Sequence, residues 1–572
     1  MIDFKEKLVE IITGKYDTID KEEIEELIET PPQEDMGDLA LPCFKFAQVF
    51  RKAPNLIADE IVSEIGDSKY FEEIKSMGPY LNFFIDKKLI AKTVAENVIE
   101  EGDNYGSSNL GEDKNVIVEF SSPNIAKQFH IGHIRTTVIG HALRNIYDFL
   151  GFNTIAINHL GDYGTQFGKQ ILAFKKWGDR SQVEKDPIPE LLKLYIKFHE
   201  VAEEKPELED EARAWFKKLE DGDQEAKELW KWFKDVSMKE FNRVYNLLNI
   251  DFDSYAGESF YVDKMGKVVE MLEEKDLLKE SEGAKIVDLE EYNMSPALIK
   301  KSDGSTLYFT RDIAAAIYRK NEYDFHKNIY VVASQQNLHF QQMFKVLELM
   351  DYDWAKDCIH IPFGMVSLEE GTMSTRKGRV VYLEDVLNKA IDKTKEVIAV
   401  KNPDLENKDK VSEEVGVGAV IYQELSHSRI KDYQFSWDTA LSFEGETGPY
   451  VQYTHARANS VLEKAGFNED IDINKLEEID YQVLTEDEPF SVLKLIYNFP
   501  DIIIKAMEKN EPFLITRHIT DLAQAFNKFY HEHPILVDDE GIKEARLLLV
   551  FIAKNVIKIG LNLLGISAPN KM

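Results

Sequence analysis

The sequence predicts an α/β fold: a doubly wound parallel sheet with a helical insertion, preceded by a small α+β domain and followed by an all-α bundle. Three observations carry that prediction. An apolar strand, a polar loop, an amphipathic helix and a second apolar strand succeed one another between Val116 and Ile157, and two parallel strands need such a crossover between them. Alternation of strand and helix resumes near Thr306. From Lys401 to Met572 apolar residues recur at helical spacing almost throughout. The 572 residues, 44% of them hydrophobic, suffice for several cores. They divide into 1–105, 106–400 with an insertion at about 166–300, and 401–572.

In the first 105 residues a helical pattern runs to Gly14, and Pro31-Pro32 breaks the charged stretch after it. Gly37-Asp38-Leu39-Ala40-Leu41-Pro42 is expected to open a second helix through Val49, and Ala53-Pro54-Asn55 a third. Gly78 to Ile85 reads as a turn entering a strand, and the polar, glycine-bearing stretch Gly102–Lys114 as a linker. Nothing here forms a catalytic constellation.

Val116-Ile117-Val118 is a buried strand, and Ser121-Ser122-Pro123-Asn124 is the loop at its carboxyl end, where sheets of this kind bind ligands. Ile131, Ile134, Val138, Ile139, Ala142, Leu143, Ile146, Phe149 and Leu150 mark one long helix, closed by Gly151. Asn153–Ile157 is the next strand. His130-Ile131-Gly132-His133 stands where the helix begins. Two imidazoles at i and i+3 share a face beside unpaired backbone N–H groups, a setting that favours phosphate. Gly132 leaves room for a flat base to approach the backbone. By themselves the four residues fit a pair of surface histidines beside a packing glycine equally well.

Residues from Gln166 to about Lys300 are strongly charged and mostly helical, with Trp215, Leu219, Leu229, Trp230, Trp232 and Phe233 as packed faces. Leu307 to Asp312 reads as a strand running into a helix start, with Ile329–Ala333 as the next strand. Ile359-His360-Ile361 and Val380-Val381-Tyr382 are weaker strands. The repeat places a topological switch point, and so a cleft, between the two halves of the sheet. Gly371-Thr372-Met373-Ser374-Thr375-Arg376-Lys377-Gly378 carries two cations between glycines. That composition suits a lid over phosphate charge, and a plain exposed turn would look the same. Beyond Lys410, Gly445–Arg457 breaks one helix and starts a longer one, and Phe526, Phe529, Tyr530 and Leu547–Ile552 continue the bundle.

Composition narrows the class. No run of 18 apolar residues spans a membrane, and the N-terminus lacks a cleavable apolar core. Cys43 and Cys358, the only cysteines, argue against a disulfide framework or zinc ribbon and fit a reducing cytoplasm. The net charge of −34 taken alone argues against a nucleic-acid binder; a basic track on an acidic molecule is the alternative.

Longer runs speak more specifically than the histidine tetrad. Glu119-Phe120-Ser121-Ser122-Pro123-Asn124-Ile125-Ala126-Lys127, then His130 to His133, then Gly161-Asp162-Tyr163-Gly164-Thr165-Gln166-Phe167-Gly168 resemble the arginyl-tRNA synthetases of class I. Gly37–Pro42 and Gly78–Phe84 are similar to that family's N-terminal domain, which touches the tRNA corner, and the terminal helices to its anticodon-binding bundle. The resemblance implies a Rossmann-like catalytic domain that ligates L-arginine to tRNA(Arg) through an arginyl-adenylate. It implies ATP carrying Mg²⁺, with no dedicated protein metal site, and a cytoplasmic monomer without a membrane partner. Other readings are a class I synthetase for another amino acid, a catalytically silent tRNA-binding relative, and a small-molecule nucleotidyltransferase.

The resemblance also assigns residues. His130, His133 and Lys127 are the expected catalytic groups. ATP is expected to meet them together with Gly132, Met373, Ser374, Arg376 and Lys377. The segment around Met373 resembles the KMSKS loop but has Thr372 and Thr375 in place of its two lysines, and Lys127, just before the tetrad, takes over part of the phosphate role. Glu119 and Asp312 are expected to hold the guanidinium, with Tyr308 against it; Asn124, His130 and Gln336 fix the α-amino and carboxylate groups. Phe526, Tyr530 and Met572 are the expected tRNA contacts. The family pattern further implies that arginine activation requires bound tRNA.

Overall fold

A computed structural model describes the chain except for residues 1, 17–18, 30, 128, 303–307, 369–381, 470 and 472. It falls into two compact units. The first joins residues 1–105 to 454–501 and 518–559; the second comprises 106–453, 502–517 and 560–572.

In the first unit, β1 (Leu39–Pro42), β2 (Phe71–Met77) and β3 (Tyr80–Ile85) form an antiparallel sheet in the order β1-β3-β2. The helix expected from Gly37 to Val49 is therefore corrected. Leu39, Ala40 and Leu41 are all buried, and Leu41 lies in register with Leu81 on β3. Tertiary pairing has overridden a sequence with no period-2 alternation; only Phe46–Phe50 is helical. Pro54 opens the helix Pro54–Ile65 as expected, at the position where its missing N–H is harmless. The early and late parts of the chain interlock within this unit: Phe4 packs on Tyr497 with ring centroids 5.6 Å apart, and the buried Tyr105 hydroxyl donates to Ile496 O at 3.0 Å.

The second unit holds the parallel sheet. Its strands are β4 (Asn115–Glu119) and β5 (Asn153–Ile157), then, after the insertion, β9 (Lys327–Ala333) and β10 (Cys358–Phe363), ordered β10-β9-β4-β5. Every neighbouring pair is parallel. The order runs outward in both directions from β4 and β9, so the switch point lies between them. Val116, Ile117 and Val118 are fully buried. The helix Ile134–Phe149 covers the sheet so closely that a Cβ at Gly140 would overlap Phe120. Gly151 comes after that helix at φ +83°, a left-handed turn that glycine makes without strain.

The insertion begins as amphipathic helices, Thr165–Trp177, Pro187–Glu204, Glu207–Glu220 and Gln224–Leu247. Leu219 and Phe233 are buried, whereas Trp215, Trp230 and Trp232 are half-buried with a cation over each ring. It ends in an antiparallel sheet that the sequence pattern does not announce: β6 (Leu278–Ser281), β7 (Ala284–Val287) and β8 (Ala297–Lys300). Tyr308 opens the helix Tyr308–Tyr323 and does not end a strand. Short β11 (Val366–Leu368) runs parallel to β12 (Tyr433–Phe435). Val380 and Val381 lie outside the described residues, and Tyr382 caps the helix Leu383–Lys401. The later chain forms the long helices Gly448–Ala465, Asp487–Lys509, Phe513–Glu532 and Glu540–Leu563. No helix among the described residues is long and apolar enough to cross a membrane.

Candidate active site

The loop leaving β4 is strained. Ser121, Ser122 and Ala126 have φ of +68°, +48° and +59°, a region that residues with a Cβ avoid unless their surroundings impose it. The surroundings here are specific. Thr136 Oγ1 accepts from Ser121 N–H at 3.1 Å and donates to Val331 O on β9 at 2.7 Å. The Tyr245 hydroxyl, from the insertion helix Gln224–Leu247, lies 2.8 Å from Ser121 Oγ and accepts from Asn158 Nδ2 at 2.9 Å. Ser237 Oγ, on the same helix, accepts from Ala126 N–H at 3.1 Å. The next loop joins in: Ile125 N–H donates to Gly161 O at 3.1 Å, and a Cβ at Gly161 would overlap Asn124 Oδ1. Asp162 is fully buried and accepts from Ser259 N–H at 2.8 Å and from Lys234 Nζ at 2.7 Å. The Gly-Asp-Tyr-Gly run thus supplies structure, tying insertion to sheet.

The two histidines cap each other. His130 Nδ1 accepts from Gly132 N–H at 3.1 Å, and His133 Nδ1 accepts from His130 N–H at 3.2 Å. His130 Nδ1 accepts, so the proton of its neutral ring sits on Nε2, whereas His133 Nδ1 lies 3.2 Å from both the N–H and the O of His130. The rings lie 4.1 Å apart, and Phe129 closes over His133 at 5.2 Å. Burial lowers the basicity of His130. Burial, then the neighbouring His130 and Lys127, push His133 down to about 3. Both rings are therefore uncharged at neutral pH, and His130 presents Nε2–H as a donor, not as a cation. Lys127 is exposed in the turn just before them.

Met373, Ser374, Arg376 and Lys377 lie outside the described residues, but the flanks of their segment are placed. On one side β11 pairs with β12, and the fully buried Arg135 donates to Gly364 O at 2.9 Å and to Lys431 O at 2.7 Å, just before each strand. On the other side Tyr382 forms an antiparallel bridge with His130, and Leu383 N–H donates to Phe129 O at 3.0 Å. Both flanks are thus tied to the histidine turn or to the helix it starts.

The carboxylates come from both sides of the switch point. Glu119, at the end of β4, is in register with Tyr330 on β9 and is buried. Its Oε2 lies 2.6 Å from Nη2 of Arg319, which is fully buried. Burial opposes the charge of Arg319, but Glu119, with Tyr261 and Tyr330, holds its pKa well above the usual value. Asp312 Oδ2 lies 2.7 Å from His339 Nε2; since a carboxylate only accepts, that nitrogen carries a proton. The His339 ring packs on Tyr308 at 5.3 Å, on Phe309 at 5.4 Å and on Phe340 at 5.3 Å. Tyr308 is 58% exposed, so one face of its ring remains open. Burial raises the pKa of Tyr330, and the charges of Glu119 and Asp312 act in the same direction. Arg311 pairs with Glu258 at 2.7 Å, and burial raises the pKa of Glu258. Gln336 closes the turn after β9 and is exposed. Among the described residues no three His, Cys, Asp or Glu side chains form a group that could hold a metal ion.

The expected tRNA contacts divide. Phe526 is fully buried, stacked beside Tyr530 at 6.4 Å, so it offers no face to a base and that expectation is corrected. Tyr530 is 36% exposed, with the Arg457 guanidinium 5.5 Å from its ring centre. Met572 is half-buried and packs against the cluster of Ile398, Leu405, Val411 and Val415.

Comparison with known proteins gives a consistent picture. Residues 94–437 match the family described as tRNA synthetases class I (R), catalytic domain. Residues 451–572 match the DALR anticodon binding domain, and residues 3–85 the arginyl tRNA synthetase N terminal domain. The chain is 66% identical over 572 residues to an arginine–tRNA ligase of Halothermothrix orenii, covering 100% of both. It is 63% identical over 572 residues to that of Clostridioides difficile, again covering 100% of both. The arginyl-tRNA synthetase structure from Plasmodium falciparum matches with a TM-score of 0.80 at 27% identity, covering 100% of this chain and 99% of that one. The Thermus thermophilus structure shares the fold at a TM-score of 0.80 and 24% identity, covering 100% of both.

Proposed function

The chain belongs to the class I arginyl-tRNA synthetases, and from that premise we propose how its own residues carry the reaction. The enzyme charges tRNA(Arg) with arginine and uses ATP to do so. Arginine is first joined to the α-phosphate, expelling pyrophosphate, and the arginyl group then passes to tRNA. Such chemistry needs positioned reactants and donors aimed at phosphate charge more than covalent help.

His130, through Nε2–H, and His133 attend the phosphates, with the Gly132 backbone beside the nucleoside. Lys127 adds the positive charge that the imidazoles do not carry at neutral pH, helped by Met373, Ser374, Arg376 and Lys377 of the segment between β11 and Tyr382. Mg²⁺ travels with ATP. Glu119 and Asp312 hold the guanidinium, and Tyr308 covers it with its open ring face, where a cation is attracted. Asn124, His130 and Gln336 take the α-amino and carboxylate groups. Lysine is rejected because a point charge does not span two fixed acceptors. Tyr530 and Met572 meet tRNA at the anticodon end, and the module around β1–β3 meets its corner. The chain acts as a cytoplasmic monomer and activates arginine only with tRNA bound.

The observation that carries this reading is a mutually capped imidazole pair in the turn after β4, with Glu119 ending β4 in register with Tyr330 across the switch point. Attachment of radiolabelled arginine to total tRNA, with lysine, glutamine and cysteine in parallel, tests it. Charging by arginine alone is expected; charging by lysine at comparable kcat/KM contradicts the pocket assignment.

A further inference from the structure

Glu119 and Asp312 are built alike. Each has one carboxylate oxygen engaged by a side chain of this chain: Oε2 of Glu119 by Arg319 Nη2 at 2.6 Å, and Oδ2 of Asp312 by His339 Nε2 at 2.7 Å. Neither partner is a flexible surface group. Arg319 is fully buried, with its guanidinium 5.5 Å from the ring centre of Tyr330. His339 is held among the rings of Tyr308, Phe309 and Phe340.

Tyr308, Asp312 and Arg319 lie at i, i+4 and i+11 of one helix, so all three project on the same face.

We propose that Arg319 and His339 are positioning residues for arginine selection, each fixing one oxygen of a specificity carboxylate so that its other oxygen faces the substrate. The guanidinium fork then bridges Oε1 of Glu119 and Oδ1 of Asp312, one N–H to each, and does not sit bidentate on either. This rests on the assignment of Glu119 and Asp312 to the guanidinium. Fixing the two acceptors in advance is what turns them into a ruler for a planar cation: a fork satisfies both, an ammonium satisfies one. His339 additionally sets the tilt of Tyr308, whose other face is open to the cleft.

The test is steady-state charging of tRNA(Arg) by the full-length enzyme carrying His339→Leu, His339→Gln, Arg319→Lys, Glu119→Gln or Asp312→Asn. Thermal melts of each variant run alongside. Loss of one oriented charge-assisted contact is expected to raise KM for arginine about tenfold to a hundredfold in His339→Leu. In that variant KM for ATP should stay within about twofold, and discrimination against lysine should fall. His339→Gln, which keeps a nitrogen donor near Nε2, should recover most of the arginine KM. Arg319→Lys keeps the charge without the planar fork and should show the same arginine-specific rise. If Arg319→Lys does not fold, the two His339 variants decide. An unchanged arginine KM in His339→Leu, with Asp312→Asn impaired, overturns the positioning role and spares the pocket. Unchanged arginine KM in Glu119→Gln and Asp312→Asn overturns the pocket itself. A joint loss of kcat, of affinity for both substrates and of melting temperature, without rescue by Gln, reduces His339 to packing and also overturns the proposal.

Discussion

His130 gives Nδ1 to the Gly132 N–H, so the turn fixes its tautomer as much as its position. In the proposed reaction the two uncharged rings act on phosphate charge as directed groups, and the cationic share falls to Lys127 and the segment around Met373. Removing one preorganised donor to developing charge lowers kcat by about 10²–10³. His133→Ala is therefore expected to lose about a hundredfold in kcat for charging, with KM for arginine nearly unchanged. Steady-state kinetics check this, and a loss confined to KM would assign His133 to ground-state binding instead. A single residue also shows what the Gly-Asp-Tyr-Gly run does in the structure. Asp162 is held by Ser259 and Lys234, with Trp230 Nε1 donating to its carbonyl at 2.7 Å. It is buried scaffolding whose spacing in sequence is indistinguishable from that of a ligand.

The loop after β4 shows how elements distant in sequence set one another. Its left-handed residues Ser121 and Ala126 are held by the insertion helix Gln224–Leu247 and the helix Ile134–Phe149, through Tyr245, Ser237 and Thr136. Tyr245→Phe leaves Ser121 and Asn158 each short of a partner and is expected to destabilise the fold by about 1–3 kcal/mol. Because the loop carries Asn124 and Lys127, KM for arginine and for ATP should rise together; melting curves and kinetics identical to wild type would show that the strain is held by other means. Much of this level is legible in the sequence, because the β4–helix–β5 run combines a buried strand with a clear 3.6-residue period. Leu39–Pro42 reads as helical in sequence since four residues carry too little periodicity, and β3 decides their state. The β6–β8 sheet is hidden for the same reason. Arg319 has a signal, seven residues after Asp312 on one helical face, but its pairing with Glu119 depends on β4 meeting β9. His339 sits on the next helix and has none. Phe526 and Tyr530 are four apart on one helix, yet one is inside and the other at the rim, a small rotation about the helix axis that pattern does not resolve.

At the scale of the whole molecule, stability and specificity respond to pH and to charge. His141 is buried, and burial followed by the charge of Arg144 lowers its pKa from 6.5 to about 4. Between those values the unfolded chain binds the proton and the folded chain does not. The contribution of His141 is thus complete above pH 6.5 and is lost as pH falls toward 4. His133, pushed down to about 3, acts in the same direction. His141→Gln should make melting temperature less sensitive to acid across this window than in the wild type; parallel pH curves would show that His141 is not a source of acid lability. The chain carries a net charge of −34, and the proposed choice of amino acid rests on a few charges within the cleft. Selection by those charges is tested most directly by kcat/KM for arginine in Asp312→Asn, measured at saturating ATP and tRNA beside kcat/KM for ATP at saturating arginine. A loss of about a hundredfold or more for arginine, with the value for ATP nearly unchanged, is the expected result. Equal losses for both substrates, or none for arginine, would contradict selection by Glu119 and Asp312.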